Sequence, residues 1–186
     1  MPFLSQDQLE KMNFKCLGQN VLISDKASIH NCDQVAIGDN SRIDDFCVLS
    51  GKITIGRNVH IAVFCNVAGG ELGIDFLDFS GLAYACHVFT QSDDYSGRTL
   101  TNPTVPDQYK SESKKKVIVG KHTIVGTNSI VFPGVVLAEG TSIGALSMVT
   151  KSTEEWSVYF GTPAKRIKAR TKELLVLEKE YLKTVN

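Results

Sequence analysis

The chain lacks any excess of charge: 20 Lys and Arg balance 20 Asp and Glu in 186 residues. That argues against a general nucleic-acid or acidic-membrane binder, which needs a cationic surface. It also lacks an apolar run near the roughly 18 residues of a membrane-spanning helix. No N-terminal apolar stretch carries a basic flank and a small-residue cleavage site, so the expected compartment is the cytoplasm and no membrane insertion is expected. The five cysteines form no CxxC pair and no zinc spacing, and no metal is expected. Cys47, Cys65 and Cys86 each stand four residues after an aliphatic (Ile43, Ile61, Leu82), which fits buried, reduced, small hydrophobes. The length suits one domain with an appendage.

What is present is a rhythm. Val119, Val125, Val131, Leu137, Ile143 and Val149 fall six residues apart, as do Ile37, Ile43, Leu49, Ile55, Ile61 and Val67. Leu17, Ile23 and Ile29 start a third series that joins the second after a two-residue slip, and Phe76, Leu82 and Val88 carry it onward. About a quarter of positions are Leu, Ile or Val, so an unbroken run of six is expected at roughly one start in four thousand. Small residues recur one position after the aliphatic (Gly38, Gly56, Gly120, Gly126, Gly144) and four after it (Ser41, Thr123, Ser129, Thr141, Ser147). A short strand, then a tight bend, explains such a unit. One unit cannot bury its own apolar side, but stacked coils form a continuous column. Buried strands of an ordinary sandwich would instead show a period of two and irregular turns.

This pattern, from about Leu17 to Thr150, resembles the hexapeptide-repeat family. The resemblance implies a mainly β fold: a left-handed parallel β-helix with three flat faces per coil, a short N-terminal helix and a C-terminal helix. The expected division is an N-terminal helical cap over 1–16, the β-helix over 17–153, and a tail with a helix over 154–186. In the cap, Ser5 and Gln8 fit a capping box. At the other end Pro163 reads as a helix start, followed by Leu174, Leu177 and Tyr181 on one side of a solvated or partner-packing helix. The stretch 90–116, with Pro, Asn, Ser and the Lys114–Lys116 run, breaks the rhythm and reads as a long functional loop. The lysine run reads as a solvated face, with a phosphate contact as the alternative.

The later half, closing on "GTPAKRIK", is similar to the maltose/galactoside and surface-polysaccharide sugar acetyltransferases. That resemblance implies an acetyl-CoA-dependent homotrimer with the donor in a cleft between neighbouring helices. It places Thr127, Ala145, Thr150, Lys151, Lys165 and Lys168 at donor contacts. The small residues Gly126, Thr127, Gly144 and Ala145 would let the pantetheine arm approach closely, and the basic residues suit the phosphates of CoA. Lys at 165 and 168, where the family often has Arg, keeps the charge and loses the bidentate fork. The family's catalytic His, five residues after an inward aliphatic, is absent: in "VFTQSDDYSG" the fifth residue after Val88 is Asp93.

Two readings follow. Asp93 is a carboxylate base raised by burial, serving a sugar hydroxyl. Or the acceptor is an amine, a sugar or nucleotide-linked sugar whose ammonium is held by Asp93 or Asp94, and which attacks a thioester with little help beyond positioning. His87 and His60 are alternative bases, each also readable as a plain surface residue. Asn66 matches the family's acceptor-binding Asn, Tyr95 could stack on a sugar ring, and His122 reads as structural. A zinc enzyme would need His60, His87 and His122 to converge. A non-catalytic scaffold that lost its base remains the third alternative, although it has no need of Lys151 or "GTPAKRIK".

Overall fold

The computed structural model describes residues 2–185; Met1 and Asn186, the outer bounds of the two expected caps, lie outside the described residues. The six-residue spacing builds three columns. Leu17, Ile37, Ile55, Phe76, Val119 and Leu137 pair in parallel up the first face. Ile23, Ile43, Ile61, Leu82, Val125, Ile143 and Tyr159 form the second. Ile29, Leu49, Val67, Val88, Val131 and Val149 form the third. The fold is a left-handed parallel β-helix. Nearly all these side chains are solvent-inaccessible and belong to one cluster; Leu17 and Ile29, in the first coil, are half-buried. Full burial of each contributes about 1.5–3 kcal/mol, which is why the rhythm is kept.

Every departure from six falls at the third corner, between the third and first faces. The slip after Ile29 is taken up by a 3-10 turn over Cys32–Gln34. The extra residues before Phe76 are absorbed by strand Asn66–Phe76, which turns that corner through Gly70 and Gly73, both at positive φ. The long excursion also leaves there: Gln91–Ser92 pairs antiparallel with Ser113–Lys114, and between them lies chain that is irregular apart from a 3-10 turn at Asp107–Tyr109 and a bridge between Leu100 and Lys110. The first corner is regular: Asn20, Asn40, Asn58, Phe79, His122 and Gly140 stack there at positive φ.

In several units the small polar residue bonds to the coil above. Ser41 Oγ donates to Gly56 O (2.7 Å) and accepts from Val59 N (3.1 Å); Ser129 Oγ does the same with Gly144 O (3.0 Å) and Ser147 N (3.1 Å). Cys47, Cys65 and Cys86 are buried as expected, and each thiol donates to a carbonyl of the next coil at 3.0–3.1 Å, as a serine would.

Helix α1 (Gln6–Lys11) closes the lower end with the anticipated Ser5–Gln8 capping box and buries Leu9. Pro163 does not start a helix. Residues Ser157–Phe160 extend the second face, and Lys165–Ala169 returns antiparallel to them, with Pro163 in the intervening turn. The reason is edge cover: a β-helix ends on unpaired backbone, and a hairpin satisfies it. Helix α2 (Leu174–Val185) follows. It lies against the second face through Tyr181 OH, which accepts from Asn58 Nδ2 (2.9 Å), and through Glu178, which accepts from Lys121 Nζ (2.6 Å) and bonds His122 Nε2 (3.0 Å).

Candidate functional site

Three of the six candidate donor residues share the second corner, between the second and third faces. Thr127 and Ala145 occupy successive coils, with Leu146 N donating to Thr127 O (2.8 Å). Lys165 pairs opposite Phe160 at the top of this corner, and its side chain is exposed. Lys168 pairs opposite Val158, further along the second face. Thr150 and Lys151 follow strand Met148–Val149 and so reach the third corner, at the far edge of the third face. One chain therefore does not gather all six.

The glycines of the second corner serve the packing of coil on coil. A Cβ on Gly126 would stand 2.5 Å from Ala145 N, and one on Gly144 would stand 2.2 Å from the Phe160 ring. Their missing side chains let one coil sit on the next.

On the third face Asn66 and His87 are neighbours in the parallel ladder, both outward and exposed. Asp93, Asp94 and Tyr95 begin the excursion loop. The Asp93 carboxylate is half-buried and accepts from Asn102 N (3.2 Å). Asp94 accepts from Ser96 N (2.8 Å), Ser96 Oγ (2.8 Å) and Thr99 Oγ1 (3.2 Å). These bonds, led by the Ser96 amide, hold its carboxyl below the usual range. Asp94 is thus a standing anion, suited to hold an ammonium and poorly suited to take a proton near neutral pH. Tyr95 is 92% exposed.

The remaining histidines have separate duties. His60 Nε2 bonds the buried Asp44 (2.9 Å), which also accepts from Arg42 Nε (2.6 Å). His122 is buried, stacks on Phe79 (5.3 Å) and bonds Glu178, which matches its structural reading. They do not converge with His87, and no group of three metal-ligating residues occurs among the described residues. Lys116 pairs with Asp75 (2.6 Å) and Lys114 with Glu112 (3.6 Å), so these two act as local ion pairs.

Sequence reasoning missed a cavity of about 660 Å³ between α2 and the second face, walled by residues such as Asn58, His60, Gly81, Tyr84, Ile124 and Leu177. Only the Leu174–Leu177–Tyr181 stripe hinted at it. Its end at Ala83 and Tyr84 lies one coil below Thr127, since Asn128 N donates to Tyr84 O (2.9 Å).

This architecture, a left-handed β-helix with an excursion loop carrying carboxylates, is that of an acyl-CoA-dependent acyltransferase. No family model matches the chain. It is 44% identical over 185 residues to a dTDP-4-amino-4,6-dideoxy-D-glucose acyltransferase of Escherichia coli, covering 97% of this chain and 95% of that protein. It is 49% identical to AntD, an N-acyltransferase from Bacillus cereus, solved as a variant with dTDP-4-amino-4,6-dideoxyglucose and coenzyme A (TM-score 0.97, 98% of each chain). The AntD complex with dTDP and 3-hydroxybutyryl-CoA gives a TM-score of 0.97 at 49% identity, over 99% of this chain and 98% of that one. The chain belongs to this family of hexapeptide-repeat sugar acyltransferases.

Proposed function

We propose that the protein moves an acyl group from a CoA thioester to the amino group of a nucleotide-linked amino sugar of the dTDP-4-amino-4,6-dideoxyglucose type. The observation that carries this reading is near-full-length similarity to two proteins described with that acceptor class, joined to carboxylates where the sugar O-acetyltransferases hold a His. The amine nitrogen attacks the thioester carbonyl, the N–C bond forms, the C–S bond breaks, and CoA leaves as the thiol after taking a proton. A free amine needs no base to be nucleophilic, only loss of a proton late in the step. Asp93, with one amide bonded to it, is assigned that proton or a hydrogen bond from the amine; Asp94 holds the incoming ammonium. Asn66, His87 and Tyr95 are assigned to the acceptor's flank. Thr127, Ala145, Thr150, Lys151, Lys165 and Lys168 are assigned to the donor.

We infer that the active form is a homotrimer working in the cytoplasm on precursors of surface polysaccharide. The third corner of one copy beside the second corner of the next would unite the split donor set and bring Asp93 to it. Exposed Phe46, Phe64, Tyr84, Leu146 and Phe160 along the second corner support such contact. The test is free-thiol release from acetyl-CoA and 3-hydroxybutyryl-CoA against amino sugars, neutral sugars and their nucleotide-linked forms. Turnover confined to nucleotide-linked amino sugars is expected; preference for a neutral sugar would favour O-acylation, and no release with any acceptor would favour a scaffold.

A further inference from the structure

The groove under α2 holds about 660 Å³ between the middle of the second face (Gly81, Ile124) and Leu174 and Leu177 of α2. Its mouth is at Ala83 and Tyr84, on the second corner. Tyr84, Ile124 and Leu177 stand exposed around it. We propose that this mouth is the seat for Tyr95 of a second copy of the chain, and that the contact fixes the excursion loop and its Asp93 beside the donor residues of the second corner. The proposal rests on the homotrimer inferred above and names a contact that completes its site.

Height argues for this occupant. Leu82 and Val88 lie in one coil: Leu82 pairs between Ile61 and Val125, and Val88 pairs between Val67 and Val131. Ala83 and Tyr84 turn the second corner of that coil, and the segment carrying Asp93 and Tyr95 leaves from its third corner. Rotation about an axis parallel to the coil axis closes copies into a ring and leaves every height unchanged. The third corner of one copy then meets the second corner of the next within a single coil. Loop tip and groove mouth face each other. Within one chain they do not, because the third corner lies across the prism from the second face.

Reach agrees with height. Tyr95 is two residues beyond Asp93, so their Cα atoms are within about 7 Å. Tyr84 is one coil below Thr127, with Asn128 N donating to Tyr84 O (2.9 Å), and neighbouring strands stand about 4.8 Å apart. A loop that carries the Asp93 carboxylate to a thioester beside Thr127 therefore carries Tyr95 to the rim at Tyr84.

The loop tip is built to dock. Tyr95 is 92% exposed, although an aromatic ring gains much by burial. The turn that presents it is tied down: Asp94 accepts from Ser96 N, Ser96 Oγ and Thr99 Oγ1, and Asp93 accepts from Asn102 N. A ring held on such a turn loses little freedom when it enters a partner's pocket, the usual form of an interface anchor. The receiving groove suits an uncharged ring. Its ionisable groups are already engaged: Glu178 with Lys121 (2.6 Å) and His122 (3.0 Å), Arg170 Nη1 with His122 O (2.7 Å), and His60 with Asp44 (2.9 Å). The assignment of Tyr95 to the acceptor's flank is thereby sharpened: it acts through Asp93, as a positioning residue.

Cross-linking between copies tests the seat. A Cys16→Ser background removes the exposed native thiol. In it, Arg98→Cys beside the loop tip and Leu177→Cys on the groove rim are joined by a short bis-maleimide, with Tyr95 retained. Covalent dimers and trimers are expected on a denaturing gel from the pair and not from either single variant, and adding Tyr95→Ala should cut their yield severalfold. A trimeric particle that gives no such bands, or a yield indifferent to Tyr95→Ala, overturns the seat while the homotrimer stands. A wild-type particle of monomer mass overturns the homotrimer and the seat with it. Activity gives a second readout. Tyr95→Ala should lower kcat about tenfold or more by misplacing Asp93, with CoA affinity held within about twofold, and Tyr95→Phe, which keeps the ring, should recover most of the loss. Leu177→Trp fills the mouth from an exposed helix position and should cause a similar loss, with the double variant no worse than either single one. Normal kcat in Tyr95→Ala, or losses that add, would overturn the seat.

Discussion

Asp93 and Asp94 are adjacent in sequence and differ in how far their oxygens are engaged. Asp94 spends its oxygens on Ser96 and Thr99, while Asp93 receives one amide bond, from Asn102. Asp93 keeps more of its carboxylate edge free for an acceptor than Asp94 does. Asp93→Asn should lower kcat at least tenfold with CoA affinity nearly unchanged; a variant of normal turnover would remove Asp93 from the chemistry. At the donor, Lys165→Ala should weaken CoA more than CoA lacking its 3′-phosphate, measured by competition. Equal losses would mean the ammonium touches no such phosphate. In the core, Ile61 is solvent-inaccessible at the centre of the second column. Ile61→Ala should cost about 2–5 kcal/mol in denaturant unfolding.

Helix α2 carries a pH dependence. Burial pushes the Glu178 carboxyl up, but the hydrogen bonds from Lys121 and His122 outweigh it and hold it below the ordinary value. A depressed folded-state value means the contribution is complete above the unfolded glutamate value of about 4.3 and is lost as pH falls through the folded one. Protection factors for amide exchange over 174–185 should be high at pH 7 and fall below about pH 4; equal protection at pH 3 would contradict the anchoring role. At this scale the strands were readable and their end was not. A hexapeptide repeat states each inward residue directly. Pro163 could begin a helix or sit in a turn, and the choice was made by the unpaired edge of Ser157–Phe160, a partner eight or so residues away in sequence that local propensity does not register.

The whole molecule explains why donor and acceptor candidates seem scattered. Asp93 leaves from the third corner, which in a three-sided prism is opposite the second face and its groove. The homotrimer proposed above would resolve that opposition, through a heterologous contact between copies closed into a ring. Phe46 and Phe64, exposed and at positive φ, stack at 5.1 Å on the second corner. Bulky residues held there are costly unless a further role retains them. If the proposed trimer forms through this corner, Phe64→Asp should reduce the particle to a monomer by light scattering and abolish turnover together with assembly. Spacing alone determined the three columns, the small polar and thiol positions between them, and the place of the excursion, because each inward side chain answers to burial at its own position in a six-residue unit. Tertiary structure decided which outward residues share a cavity. Outward positions carry no period, and Asn58, Gly81, Ile124 and Leu177 come together only because coils far apart in sequence lie one above another beneath a helix.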